Sequence, residues 1–158
     1  MFKEWKKIKN NSFKNIDEIL NFLHKNKYQI SPWIKNIFTN GKNKIELNEK
    51  EFLILKVNLL DLGFNKPAKL IDIYKTFKKF NLGLVPPFVS LLARTMYDDQ
   101  PKGEWLRIAV PLESMIDSDG VPHLPKLGSA LNMLFIETYW SYPGAIFHPH
   151  NEFLVVKK

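Results

Sequence analysis

Trp105-Leu106-Arg107-Ile108-Ala109-Val110-Pro111 is where the chain changes character. Leu106, Ile108 and Val110 fall on one side, and Trp105, Arg107 and Ala109 on the other. A period of two belongs to a strand. The pattern continues downstream. In Leu131–Trp140, Leu131, Met133, Phe135 and Tyr139 line one face, while Leu134, Ile136 and Trp140 line the other. Two apolar faces predict a central strand. Glu152–Val156 predicts a last strand before Lys157-Lys158.

Upstream, apolar residues recur every three or four positions. Phe2, Trp5 and Ile8 have that spacing, so residues 1–11 are expected to form a short, loosely attached helix. Ser12 or Asn15 can cap a helix through about Lys25, with Ile16, Ile19, Leu20 and Leu23 as its stripe. Ser31-Pro32 opens another, with Trp33, Ile34, Ile37 and Phe38 expected on its buried side. Pro67 begins a third, carrying Leu70, Ile73, Tyr74, Phe77 and Phe80 on one face. Pro86-Pro87 begins a fourth. Residues 52–60 fit both a strand and a buried helix, and the strand is preferred because Gly63 and Pro67 close the run quickly. The expected fold is therefore one α+β domain over residues 1–158. A helical hairpin at 67–97 covers a mostly antiparallel sheet built largely from the C-terminal half.

Composition narrows the function classes. The chain has 158 residues, enough to bury roughly 70% of the surface its unfolded form exposes. It has no Cys, which removes disulfides, thiolate metal sites and Cys nucleophiles together. No secretory signal is read at the N-terminus, and no apolar run is long enough to cross a bilayer. The chain is expected to be cytoplasmic, with no membrane partner. Residues 1–85 carry 17 Lys, no Arg and 8 acids, whereas residues 86–158 carry 6 bases and 8 acids. A basic front invites a nucleic-acid reading through counterion release. Base readers favour Arg, however, and Arg94 and Arg107 are the only two. A solvated basic face is the simpler account.

Four segments are candidates for chemistry. Asp98-Asp99-Gln100-Pro101-Lys102-Gly103-Glu104-Trp105 gathers carboxylates, an amide, a Lys and a stacking ring. It is either a polar ligand site, with Asp98, Asp99, Gln100, Glu104 and Trp105 as its residues, or a tight connector built on Asx turns, Pro and Gly. Asp117-Ser118-Asp119-Gly120 has Gly at position four of the segment and so lacks the calcium-loop spacing; a turn is the plainer reading. In His148-Pro149-His150-Asn151-Glu152, an extended backbone would place His148, His150 and Glu152 on one face. That is a zinc or iron ligand set, with His123 as a possible fourth ligand; a polar turn is the alternative. Phe135, Tyr139, Trp140, Tyr142 and Phe147 form an aromatic set, with Phe135 and Trp140 assigned to the core and Tyr139, Tyr142 and Phe147 to a cleft rim beside Pro143-Gly144; core support for the whole set is the alternative. Nucleotide and nucleophile-elbow motifs are absent.

The segments Tyr97–Trp105 and Asp117–Gly120, the strand between them, Asp61-Leu62-Gly63-Phe64 and the helix at 67–80 resemble a small set of uncharacterised bacterial proteins. That resemblance implies a self-standing domain and carries no activity or functional residue. The leading functional expectation is a non-catalytic binding module around Trp105, Tyr139 and Tyr142, with a partner that is unknown and expected to be a protein. The alternatives are a zinc- or iron-dependent hydrolase or oxygenase, and nucleic-acid binding through the Lys-rich front.

Overall fold

The computed structural model describes residues 2–158 and has the α+β class read from the sequence. Ten strands and four helices alternate along the described chain: β1 (Lys3–Ile8), α1 (Ile16–Lys25), β2 (Gln29–Ile30), α2 (Pro32–Asn40), β3 (Phe52–Asn58), β4 (Ala68–Lys69), α3 (Leu70–Lys79), β5 (Leu82–Gly83), α4 (Pro87–Thr95), β6 (Trp105–Ile108), β7 (His123–Ala130), β8 (Met133–Trp140), β9 (Ile146–Phe147) and β10 (Glu152–Lys157). A 3-10 turn at Leu59–Leu62 follows β3, so the strand reading of that run holds.

The main sheet runs β1-β3-β10-β6-β7-β8-β2, with β5 also on β10. It is antiparallel except at β10–β6 and β2–β8. The middle of this order is β6, with β10 beside it, rather than β8. Phe153, Leu154 and Val155 are all buried, because Phe153 and Val155 point to one side and Leu154 to the other. β8 has only the two-residue β2 beyond it, and Met133, Tyr139 and Trp140 are exposed. A run with two apolar faces was read as central. Here one end of each face meets water.

Local chemistry explains the element boundaries. Asn15 accepts the Glu18 N–H at 2.9 Å, and Glu18 Oε1 accepts the Lys14 N–H at 2.8 Å, a reciprocal cap that starts α1. Ser31 caps α2 through the Trp33 N–H at 3.1 Å, with Pro32 in the first turn. Leu131 and Asn132 both have positive φ, 53° and 60°, as a two-residue turn between twisted strands requires. That turn pairs β7 with β8 over eight positions. β7 was invisible to pattern reading because Pro125 and Gly128 interrupt its alternation.

Residues 2–11 do not form the expected helix, and Met1 lies outside the described residues. Lys3–Ile8 is a strand on β3, with a bulge between Glu4 and Lys6. Phe2 packs edge-on to Phe80 of the segment after α3, while Trp5 packs edge-on to Tyr97 after α4. These contacts lie on opposite sides of the sheet, which one helical stripe could not reach. The bulge supplies the extra residue that mimics helical spacing.

The helical hairpin also divides differently. α4 packs with α1 over one sheet face, where Phe88 meets Phe52. α3 lies on the other face, where Phe77 meets Phe153. α2 joins α1 and α4 by stacking Trp33 on His123. One face of the sheet thus carries three helices. α3 covers only the β10 side of the opposite face.

On that second face Trp105, Gly128 and Phe135 form one cross-strand row. The indole lies flat on Gly128: a Cβ there would stand 2.1 Å from the Trp105 ring. Gly128→Ala is therefore expected to displace the indole. The cost should be about 1–3 kcal/mol, read from urea unfolding together with a change in Trp emission.

Candidate functional site

The Asp98–Trp105 segment is organised around Arg94, which is fully buried. Its Nη1 donates to Gln100 Oε1 at 2.8 Å, to the Phe135 carbonyl at 2.9 Å and to the Gly128 carbonyl at 3.3 Å. Its Nη2 donates to the Tyr97 carbonyl at 2.6 Å. Nε has no acceptor, and the guanidinium carbon lies 5.5 Å from the Tyr28 ring centre. Burial pushes the group down to about 10, still charged at neutral pH.

Gln100 returns its amide hydrogens to the Glu104 and Leu127 carbonyls, each at 3.1 Å. Glu104 accepts the Tyr97 hydroxyl at 2.7 Å and pairs with Lys56 at 2.9 Å. Asp98 accepts the Tyr28 hydroxyl. Burial, then that bond and the Asp98 charge, hold Tyr28 up to about 12. Gln100 and Glu104 are thus committed to internal bonds, and the connector reading describes them. Asp98 is exposed but bonded; Asp99 is exposed on the rim.

Asp117-Ser118-Asp119-Gly120 is a turn. Asp117 Oδ1 accepts the Asp119 and Val121 N–H groups at 2.9 and 3.0 Å, and Gly120 has φ 87°. Asp117 Oδ2 meets His123 Nε2 at 2.8 Å, and His123 Nδ1 meets Thr138 Oγ1 at 3.0 Å. Trp33 and Trp140 each lie 5.6 Å from the imidazole centre. Burial alone would raise the Asp117 carboxyl. The bonds from His123, Val121 and Asp119 outweigh it and hold the group below its ordinary value.

The metal geometry is not formed. His148, Pro149, His150 and Asn151 make a turn, closed by the Asn151 N–H to the His148 carbonyl and the His148 N–H to Asn151 Oδ1, each 2.9 Å. Shared facing of His148, His150 and Glu152 required an extended backbone, and β10 begins only at Glu152. Both ring nitrogens of His123 are already engaged. Among the described residues, no group of three His, Cys, Asp or Glu side chains is placed to hold a metal ion.

The remaining aromatic residues define a surface. Trp105, Arg107, Lys126, Phe135, Glu137 and Tyr139 share the sheet face opposite α1, α2 and α4. Trp105 and Phe135 are half-buried, with ring centres 6.0 Å apart. Tyr139 leans edge-on to Phe147 at 5.1 Å and remains 37% exposed. The Lys126 ammonium lies 5.0 Å from the Trp105 ring centre and 6.0 Å from that of Tyr139, linking them into one patch. Tyr142 stands beyond β8 beside Trp140, at 6.4 Å. Tyr139, Trp140 and Tyr142 line a hollow of about 440 Å³ with Val121, Gly144 and Ala145. Trp140, expected in the core, is half-exposed, because β8 is nearly an edge strand at that end; Phe147, expected on the rim, is buried against Phe153.

Sequence reasoning placed Trp105, Tyr139 and Tyr142 on a surface but missed Arg107, Lys126 and the internal role of Arg94. The available signal was scarcity: Arg94 and Arg107 are the only arginines, and Lys126 is the one Lys between Lys102 and Lys157. Among the described residues, no helix is long and apolar enough to cross a membrane. No family model, curated protein or solved structure matches the chain.

Two outcomes follow from the buried charges. Arg94→Met removes the donor shared by Gln100 Oε1 and the Tyr97, Gly128 and Phe135 carbonyls, so despite the lost desolvation cost it should destabilise by about 3 kcal/mol in urea unfolding. Arg94→Lys should recover less than half, since one ammonium lacks the planar fork. For Asp117, the folded value lies below the unfolded one. Its contribution is therefore present above the ordinary value of 3.8 and lost as pH falls through the folded value. Asp117→Asn should be less stable than the native chain at pH 6, and the gap should narrow below about pH 4 in thermal melts.

Proposed function

We propose that the chain is a non-catalytic binding domain that engages a protein partner through the open face of β6, β7 and β8. The carrying observation is the grouping of Trp105, Phe135 and Tyr139 on a face that none of α1, α2 and α4 covers. Aromatic side chains and Arg are enriched at protein interfaces, where large rigid rings contribute area at low entropic cost. Met133, also 37% exposed, extends the patch with an adaptable side chain. Of the polar groups nominated for ligand binding in the Asp98–Trp105 segment, Gln100 and Glu104 are bonded internally, which favours the aromatic surface over the connector as the recognition element.

The metal-dependent alternative loses its support with the turn at His148–Asn151. A nucleic-acid role for the Lys-rich front gains none, because those Lys are spread over β1, α1, α3 and their loops.

A photo-crosslinking p-benzoylphenylalanine in place of Tyr139 should give one dominant protein adduct in source cells. The same group in place of Lys35 on α2 or Lys75 on α3 should give none of it. Equal adducts at all three positions, or none at 139, contradict the proposal.

A further inference from the structure

Arg107 and Lys126 are direct cross-strand neighbours in the β6–β7 register. Like charges placed opposite one another in a sheet repel. Both are half-buried, which raises the cost of leaving them unpaired. Burial holds each below its ordinary value, and Arg107 lowers Lys126 further. Glu137, the direct cross-strand neighbour of Lys126, and Glu152 partly offset this, yet neither cation has an ion pair within 4.0 Å among the described residues. The one side-chain hydrogen bond of Arg107 goes to the Trp105 carbonyl at 3.3 Å. The folded chain therefore holds two adjacent, undercompensated cations between Trp105 and Tyr139.

We infer that this pair is a receptor for a carboxylate on the partner, so that the open face binds an acidic, strand-like protein segment in which Asp or Glu alternates with apolar residues. This rests on the binding-face reading above and adds the partner's chemistry. A guanidinium accepts a carboxylate in a two-point contact, and the neighbouring ammonium completes the charge match. Apolar neighbours of that carboxylate would lie on Trp105 and Tyr139, as alternation along an extended segment requires. Nucleic acid fits less well. A base would have to displace the Lys126 ammonium from the Trp105 ring, whereas a carboxylate approaches the ammonium itself.

The test uses the full chain and three probes: blocked pentapeptides of sequence Val-Glu-Val-Glu-Val and Val-Lys-Val-Lys-Val, and a ten-nucleotide oligouridylate. Trp105 indole N–H shifts are followed by NMR. The Glu peptide should give a saturable shift, weakened at least tenfold by Arg107→Gln with Lys126→Gln, and the Lys peptide should give none. Lys126→Gln alone should raise Tm by about 2 °C, since it removes a repulsive pair, which separates lost binding from lost folding. Oligouridylate shifting Trp105 while the Glu peptide does not would overturn the inference in favour of nucleic acid. An unchanged Glu-peptide response in the double variant would overturn it as well. In cells the two readings separate. No adduct at position 139 removes the binding face itself. An adduct whose yield is the same in the Arg107→Gln, Lys126→Gln background leaves the face and removes only the acidic partner.

Discussion

A guanidinium buried from solvent organises this fold. Arg94 comes from the end of α4 and reaches the carbonyls of Gly128 on β7 and Phe135 on β8, which face each other across one hairpin. It also holds Tyr97 and Gln100, so the connector into β6 is fixed from the same point. α4, the connector, β7 and β8 thereby share one donor group. Charge buried without a carboxylate is costly, and oriented carbonyl dipoles offset it here in place of a counter-ion. This explains why the Asp98–Trp105 segment combines so many polar residues: Gln100 and Glu104 are spent on internal bonds. Gln100 and Glu104 complete the shell, and the chain emerges at Trp105 with its register set.

That register decides what the opposite face displays. Gly128 gives up its side chain, and the Trp105 ring occupies the space. The next row carries Arg107, Lys126 and Glu137. The row after it places Tyr139 over buried Leu124. Aromatic, charged and aromatic rows succeed one another because residues two apart on each strand share a face. Structural support from α4 and display on the open face are therefore consequences of one strand pairing.

Much of this was legible in the residues. The period of two at Trp105–Pro111 gave β6 with its sides assigned correctly, and Asn15, Ser31 and Pro86-Pro87 marked three helix starts. Three things were not legible. A bulge at Glu4–Lys6 disguises a strand as a helix by adding one residue to its period. Pro125 and Gly128 hide β7, whose identity rests on pairing with β8 rather than on its own composition. His148 and His150 matched a ligand spacing only for an extended backbone, and Asn151 instead closes a turn between them. At the candidate site, exposed aromatics could be nominated from sequence. The pairing of Arg107 with Lys126 could not, because it depends on a register between strands whose residues lie 19 positions apart.

The central claim is that the β6–β8 face is free in the isolated chain and covered in use. Oxidative footprinting of the purified protein and of the same protein in its source cells tests it most directly. Protection in cells of Met133, Trp105 and Tyr139, with the exposed Met96 and Trp33 on other elements unchanged, is the predicted result. Equal oxidation of the first three side chains in both settings would contradict it.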